Sequence, residues 1–182
     1  LMLQPHFKGK TLMLQPRRVA ARSVAHWMAE LAQETIGQYI GYHVRFERKC
    51  TKETKIEVLT EGILIQRILQ DPELHGISCI ILDEFHERHL ASDLIFAMLR
   101  ELQEAWRPDL KIIIMSATLD ANVLAQMTNA QVYTIQVRQF PIQIHYQKGI
   151  SSQSPCVEAI DIILQAWHDH CLRGLERAFH HL

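Results

Sequence analysis

The chain has 182 residues, of which 48% are hydrophobic and 21% are charged, a balance that suits one soluble globular domain with a substantial core. Its formal net charge of −1 excludes an overall electrostatic attraction to nucleic acid or membranes, so any nucleic-acid site must come from locally clustered basic residues. No apolar run approaches the roughly 20 residues that span a bilayer, and no secretion signal is visible, so we expect a cytoplasmic protein with no membrane contact. The four cysteines form no C-x-x-C pair and are expected to be free thiols.

The first predicted elements are a strand and a long helix. A short apolar run before Pro16 predicts a buried strand over residues 11–15. Apolar residues at three- and four-residue steps then predict a helix over residues 17–35, stopped by Gly37. The apolar face of this helix is expected to consist of Ala20, Val24, Trp27, Met28 and Leu31.

Strands and helices alternate through the rest of the chain. Alternating polarity or uninterrupted apolar runs predict strands at 42–47, 55–60, 77–82, 111–117 and 132–137, with an outlying strand at 142–146. Apolar faces predict helices at 61–70, 90–106, 120–127 and 156–170. This alternation predicts an α/β fold, in which helices flank a mainly parallel sheet.

Gly9-Lys10-Thr11 looks like the end of a phosphate-binding loop but does not satisfy its pattern. In G-x-x-x-x-G-K-[ST] the first glycine would stand at position 4, which is Gln4. The loop should also precede a helix, whereas this tripeptide runs into a predicted strand. We therefore interpret it as a surface turn that enters a strand.

Two acidic residues follow the most apolar predicted strand. Asp83 and Glu84 come directly after "ISCIIL", at the carboxyl end where open α/β sheets bind ligands. A carboxylate at Asp83 can hold nucleotide-bound Mg²⁺, and the adjacent Glu84 can orient and deprotonate an attacking water. A rival interpretation is a zinc hydrolase with His86, Glu87 and His89 as ligands, although H-E-x-x-H spacing is not satisfied.

Basic residues mark the start of the first predicted helix. Arg17 and Arg18 lie where the strand turns into the helix, and Arg22 shares a face with Arg18. Helix-terminal amides and the arginine charges favour an anion there, and a nucleic-acid phosphate fits. The alternative is a solvated basic helix start.

Two further strand ends carry small or hydroxyl-bearing residues. Thr60 ends a strand, and Gly62 allows close backbone approach to a phosphate or sugar as the next helix begins. Ser116 and Thr118 end another apolar strand and can couple a nucleotide site to a second element, or Thr118 or Asp120 can simply cap a helix. Parallel topology predicts that Asp83, Thr60, Arg17 and Thr118 share the carboxyl edge of the sheet.

Taken in order, these stretches resemble the first RecA-like domain of superfamily 2 helicases, of the DEAH-box group. The signature of that group reads Asp83-Glu84-Phe85-His86 here, and residues 15–21 match its motif Ia. Residues 60–64 match motif Ib, with Glu61 where many members carry Asp, and Ser116-Ala117-Thr118 matches motif III. The run that begins at Gly9 is most similar to the HrpB-type helicases of bacteria, and the resemblance covers roughly residues 8–170.

The resemblance implies an ATP-dependent RNA helicase that couples NTP hydrolysis to RNA unwinding or remodelling. Asp83 would then help to hold Mg²⁺ with ATP, Glu84 would activate water, and His86 would link nucleotide state to a second domain. The resemblance assigns the RNA backbone contacts to Arg17, Arg18, Thr60 and Gly62, and the coupling between sites to Ser116 and Thr118.

The resemblance also implies that parts of the family's machinery lie outside this chain. Residues 1–150 would form a partial RecA-like domain without its phosphate loop, truncated at the N-terminus, and residues 151–182 a linker helix and an atypical tail. A second RecA-like domain, a partner in the complete site, is missing, so we expect this fragment to be inactive alone. The alternative is a non-catalytic RecA-like module that binds RNA or another partner.

Overall fold

The structure of the protein is a computed structural model and describes residues 9–117, 121–135 and 164. The chain divides into two units, Leu1–Tyr133 and Thr134–Leu182, and every element given below belongs to the first. Within the described ranges no helix is both long enough and apolar enough to cross a membrane. The helix predicted at 156–170 and the strand at 142–146 lie outside the described residues, apart from helical residue 164.

Six strands form one sheet in the order β3-β2-β4-β1-β5-β6. Their bounds are β1 Lys10–Gln15, β2 Ile40–Val44, β3 Glu47–Lys49, β4 Ile56–Thr60, β5 Ile77–Leu82 and β6 Lys111–Ile114. All neighbouring strands run parallel except β2 and β3, which pair as an antiparallel hairpin. The predicted mainly parallel α/β sheet is therefore confirmed.

Helices cover both faces of the sheet. They are α1 Arg18–Leu31, α2 Glu61–Gln70, α3 Leu90–Ala105 and α4 Ala121–Thr128, with a 3₁₀ turn at Phe85–Glu87. The period-two alternation of β1 sends Leu12 and Leu14 into a core with α2 and α3, and Met13 into a second core with α1. Both faces are thus buried, which is why β5 and the central residues of β1 are apolar.

Six of the predicted elements agree with the structure to within a residue at each end. The helix at 61–70 and the strand at 77–82 are confirmed without change, and α3, α4, β1 and β4 differ from prediction by one residue. Lys10 opens β1, where its amide donates to the Gly76 carbonyl at 2.8 Å. A Cβ on Gly9 would lie 2.7 Å from that same oxygen, so this glycine permits close packing between chain segments and does not belong to a phosphate loop.

The single strand predicted at 42–47 is wrong, because a hairpin occupies this region. Strand β2 ends at Val44, the chain reverses through Arg45 and Phe46, and β3 begins at Glu47, which pairs with Val44. Phe46 adopts a left-handed backbone with φ of 69°, an unusual conformation for a non-glycine residue. Alternating polarity continues across the turn and therefore hides it from a periodicity argument.

Two other strand predictions also need correction. The strand predicted at 111–117 ends at Ile114, after which the Met115 amide donates to the Leu82 carbonyl at the end of β5 and the Met115 carbonyl accepts from the amide of Phe85. The strand predicted at 132–137 is wrong over residues 132–135, which have no regular structure and expose Val132, Tyr133 and Ile135, while residues 136–137 lie outside the described part. A β pattern forms a strand only where another strand pairs with it.

The buried face of α1 also differs from the prediction. The helix ends at Leu31 and not at residue 35, and Gln33, with φ of 55°, turns the chain before Gly37 is reached. Its buried side chains are Ala21, Ala25 and Ala29, whereas Trp27 and Leu31 are mostly exposed. An alanine stripe at four-residue spacing brings the helix close to the sheet, so that Val24 and Met28 of the predicted face are partly buried against the core while Trp27 and Leu31 turn away from it.

Candidate functional site

The carboxyl ends of four parallel strands meet at one edge of the sheet. Gln15 at the end of β1 is in register with Thr60 at the end of β4, and Leu82 of β5 is in register with Ile114 of β6. The chain segments that carry Arg17, Thr60 and Asp83 therefore leave the sheet on the same side, as expected. Thr118, the fourth residue expected there, lies outside the described residues.

Asp83 is held in place by two donors. Its Oδ2 accepts a 2.5 Å hydrogen bond from Nε2 of Gln15, and its Oδ1 accepts a 2.9 Å bond from the amide of Glu84. Gln15 is only 2% exposed, so the buried amide fixes the orientation of the carboxylate. Sequence reasoning missed Gln15, although a polar residue that closes an apolar strand is a usable signal.

Residues 83–87 form a tight turn, the acidic turn, which contacts the residue after β6 and leads into α3. Glu84 adopts a left-handed conformation with φ of 52°, and Phe85 anchors the turn in the core at 3% exposure. Nδ1 of His86 lies 3.5 Å from Oε2 of Glu84 and also 3.5 Å from the amide of Ala117, which follows β6. The left-handed residue costs free energy, and anchoring by Phe85 keeps the carboxylate of Glu84 exposed at the edge.

The potential metal ligands at this turn suit magnesium better than zinc. Each Asp83 oxygen accepts one hydrogen bond and keeps lone-pair capacity, and Mg²⁺ prefers one or two carboxylates together with phosphate and water oxygens. His86 faces Glu84 and Ala117, whereas His89 faces other carboxylates. Among the described residues no three metal-ligating side chains converge, so the zinc alternative gains no support.

An open cleft of about 760 Å³ lies between the β2–β3 hairpin and the start of α2. The cleft is lined by three of the predicted residues, Arg18, Thr60 and Gly62. A Cβ on Gly62 would meet no atom within 4 Å, so packing does not require glycine at this position. The open space in front of its backbone leaves room for a ligand.

The hairpin supplies cleft residues that sequence reasoning missed. Arg45 and Phe46 lie at its tip, and the guanidinium of Arg45 stands 4.8 Å from the centroid of the Phe46 ring. Phe46 is 88% exposed, and Arg48 also lines the cleft. An adjacent arginine and aromatic residue would have been a usable signal, because stacking surfaces and cations together favour nucleic acid.

Arg17 does not line this cleft. Its Nη2 donates a 3.0 Å hydrogen bond to Oε1 of Glu87, on the far end of the acidic turn. Arg22 lies on the first turns of α1 and contacts Glu47 of the hairpin at 3.5 Å. The structure thus brings Arg18, Thr60 and Gly62 together and places Arg17 between the cleft and the acidic turn.

A mainly parallel sheet with acidic residues directly after a covered strand, next to a cleft that carries arginines, is the arrangement of a RecA-like helicase domain. The profile of the DEAD/DEAH box helicase family matches residues 2–127. The chain belongs to that family.

Known relatives agree with this assignment. The chain is 46% identical over 147 residues to the ATP-dependent RNA helicase HrpB of Escherichia coli, a match that covers 80% of the chain and 18% of that protein. It is 40% identical over 146 residues to the ATP-dependent RNA helicase DHX33 of Mus musculus, covering 78% of the chain and 21% of that protein. The crystal structure of Escherichia coli DEAH/RHA helicase HrpB superimposes with a TM-score of 0.78 at 41% identity, over 90% of this chain and 22% of that one. The chain thus spans about a fifth of the length of these relatives.

Proposed function

We propose that this chain forms the nucleotide- and RNA-facing part of the first RecA-like domain of a DEAH-box RNA helicase, which couples ATP hydrolysis to RNA unwinding or remodelling. The carrying observation is that Asp83-Glu84-Phe85-His86 closes β5 at the same sheet edge where Arg18, Thr60 and Gly62 line one cleft. Relatives named as ATP-dependent RNA helicases support the same assignment.

The acidic turn is the proposed nucleotide side. Asp83, oriented by Gln15, would hold Mg²⁺, which when bound with ATP neutralises charge on the phosphates. Glu84 is exposed at the edge and would accept a proton from the attacking water. His86 and Ser116 would carry a change at the turn to the neighbouring strand end, since the His86 ring already approaches the amide of Ala117. Thr118 joins this proposal on sequence alone.

The wider assembly is also part of the proposal. Residues 1–150 would belong to one RecA-like domain and residues 151–182 to a linker and tail, with a second RecA-like domain as the partner that completes the ATP site.

A cytoplasmic location fits the two described cysteines, Cys50 and Cys79, which are both free thiols.

Binding of RNA by this chain should depend on the start of α1. Replacing both Arg17 and Arg18 by alanine should weaken binding of a labelled single-stranded oligoribonucleotide and flatten the log–log salt slope by about one unit for each phosphate that is no longer neutralised. Fluorescence anisotropy over about 50–200 mM salt gives both quantities. Arg100→Ala is the matched control, because it removes a cation from α3 that pairs with Glu104. A slope that the double variant leaves unchanged would place the RNA site elsewhere.

Gly62 should matter for RNA and not for folding. Alanine is a better helix former than glycine, and its methyl group meets no protein atom, so Gly62→Ala should leave the free energy of unfolding unchanged or raise it by up to about 1 kcal/mol. The same methyl group would stand in the cleft and remove one backbone contact to phosphate, which should weaken RNA binding by roughly 1 kcal/mol, or about fivefold. Thermal unfolding and anisotropy measure the two effects. Undiminished affinity in a stably folded variant would show that the backbone at this position does not meet RNA.

A further inference from the structure

A line of charged and polar contacts crosses the sheet edge between the cleft and the acidic turn. Glu87 lies at the end of the 3₁₀ turn, and its Oε1 accepts the 3.0 Å bond from Arg17. Its Oε2 lies 3.2 Å from Nε2 of His89, and Nδ1 of the same ring lies 3.4 Å from Oε1 of Glu61. That Glu61 oxygen also accepts a 2.6 Å bond from the hydroxyl of Ser92. The contacts connect the starts of α1, α2 and α3 to the turn that carries the acidic signature.

The two members of the Arg17–Glu87 pair are held very differently. The side chain of Arg17 is 72% exposed, whereas that of Glu87 is 26% exposed, and its Oε2 is buried near Nε2 of His89 without making a hydrogen bond. Glu87 is therefore the anchored partner, and the guanidinium of Arg17 is the group free to turn toward solvent. An exposed pair of this kind adds little to stability, so its consequence lies in what Arg17 is able to bind.

We infer, on the basis of the RNA-binding function proposed above, that the Glu87 carboxylate pairs with the Arg17 guanidinium when RNA is absent. When RNA binds, a phosphate replaces the carboxylate as the partner of Arg17. Carboxylate and phosphate present similar anionic oxygens to a guanidinium, so one side chain can alternate between them. Glu87 acts as a positioning residue in this exchange. It holds the arginine at the sheet edge and weakens RNA binding by competition.

The exchange also ties RNA binding to the acidic turn. Glu87 directly follows His86, whose ring contacts both Glu84 and the amide of Ala117. When Arg17 turns to a phosphate, the end of this turn is no longer tied to α1. Because coupling between two sites is reciprocal, whatever orders the turn also changes how readily Arg17 is released.

A double-mutant cycle tests the exchange. Glu87→Gln keeps the size of the side chain and removes its charge, so affinity of the 182-residue chain for the labelled single-stranded oligoribonucleotide should rise about two- to fivefold. In an Arg17→Ala background the same change should give no such gain, because no guanidinium remains to be released. Glu87→Ala is a second variant with the same expected direction, and thermal unfolding of each variant confirms that it is folded.

A variant at a second glutamate serves as the control for the effect of removing one negative charge. Glu104→Gln removes one negative charge and breaks a 2.5 Å pair with Arg100, about 20 Å along α3 from the sheet edge, and should leave affinity nearly unchanged. A gain from Glu87→Gln that persists without Arg17, or that Glu104→Gln reproduces, overturns the exchange. So does an unchanged affinity for Glu87→Gln when Arg17→Ala still weakens binding, a result that leaves the proposed function intact. If Arg17→Ala has no effect on binding, both the RNA role of Arg17 and the exchange are wrong.

Discussion

Replacing Arg67 by methionine should lower the free energy of unfolding by about 3 kcal/mol or more at pH 7. Arg67 on α2 donates bonds of 3.2 and 2.7 Å to the two carboxylate oxygens of Glu57, whose side chain is fully buried in β4. Lys10 and His43 are more distant, at 3.6 and 3.5 Å. Without Arg67 a buried carboxylate loses its principal partner, and the cost of such a charge is large.

The pH dependence of this loss has a defined sign. Burial alone would raise the pKa of Glu57. The hydrogen bonds and the charge of Arg67 lower this pKa by more than burial raises it, so the pKa in the folded protein lies below its ordinary value. In the native protein this contribution to stability is present above the ordinary glutamate pKa and is lost as pH falls through the depressed value. In Arg67→Met only burial and weaker partners remain, so the difference between the proteins should shrink toward about pH 4.

Two variants separate this effect from simple loss of an arginine. Arg100→Met breaks an exposed helical pair with Glu104 and should cost only about 0.3–0.5 kcal/mol. Adding Glu57→Met to Arg67→Met should recover most of the lost stability, because no buried charge is then left without its partner. Urea denaturation at several pH values measures all of these free energies. A double variant as unstable as Arg67→Met would mean that the arginine stabilises by packing alone.

Replacing Arg107 by methionine should lower the free energy of unfolding by about 2–3 kcal/mol. This side chain follows α3 and donates to the carbonyls of Glu73, Leu74 and Ile77 at 2.6, 3.1 and 2.8 Å. Leu74 and Ile77 are buried, so methionine would remove this donor from carbonyls in the interior, of which that of Leu74 keeps a 3.0 Å bond from the Ile77 amide. Ile77 begins β5, the strand that ends at Leu82 just before Asp83, so the clamp also fixes the start of the strand behind the acidic turn.

The matched control for Arg107 is the carboxylate beside it. Asp109 receives two 2.8 Å bonds from the same guanidinium but is exposed, so Asp109→Asn should cost less than about 1 kcal/mol. Urea denaturation of both variants separates the carbonyl contacts from the ion pair. Equal losses in the two variants would mean that the ion pair with Asp109 dominates.

The chemistry-bearing segments of this protein could be found from the sequence because each follows a strand. Covered strands are recognisable as uncharged apolar runs, and parallel strands carry their carboxyl ends to one edge. This pattern predicts that Asp83, Thr60 and Arg17 share an edge, and the strand registers agree. It also argues against a phosphate loop at Gly9-Lys10-Thr11, since Lys10 already begins a strand.

Which side chains of a helix are buried could not be predicted reliably. Trp27 of α1 belongs to the predicted apolar face and Trp106 ends the helix predicted at 90–106, yet both side chains are mostly exposed. Ala25 and Leu99 are among the side chains of these helices that are fully buried in the core instead. Side-chain size does not settle the distance between a helix and the sheet, and that distance decides which stripe fits.

Local pattern by itself determined most of the order of strands and helices, the mainly parallel sheet and the positions of the acidic and basic segments along the chain. Those features depend on neighbours in sequence, such as the apolar run that ends at Leu82. Only the tertiary structure decided that Gln15 orients Asp83, that Arg67 neutralises Glu57 and that Arg17 meets Glu87, 70 residues further along. Each of these contacts joins segments from different strands or helices, and a charge or amide finds its partner through strand order and helix packing, which periodicity does not encode.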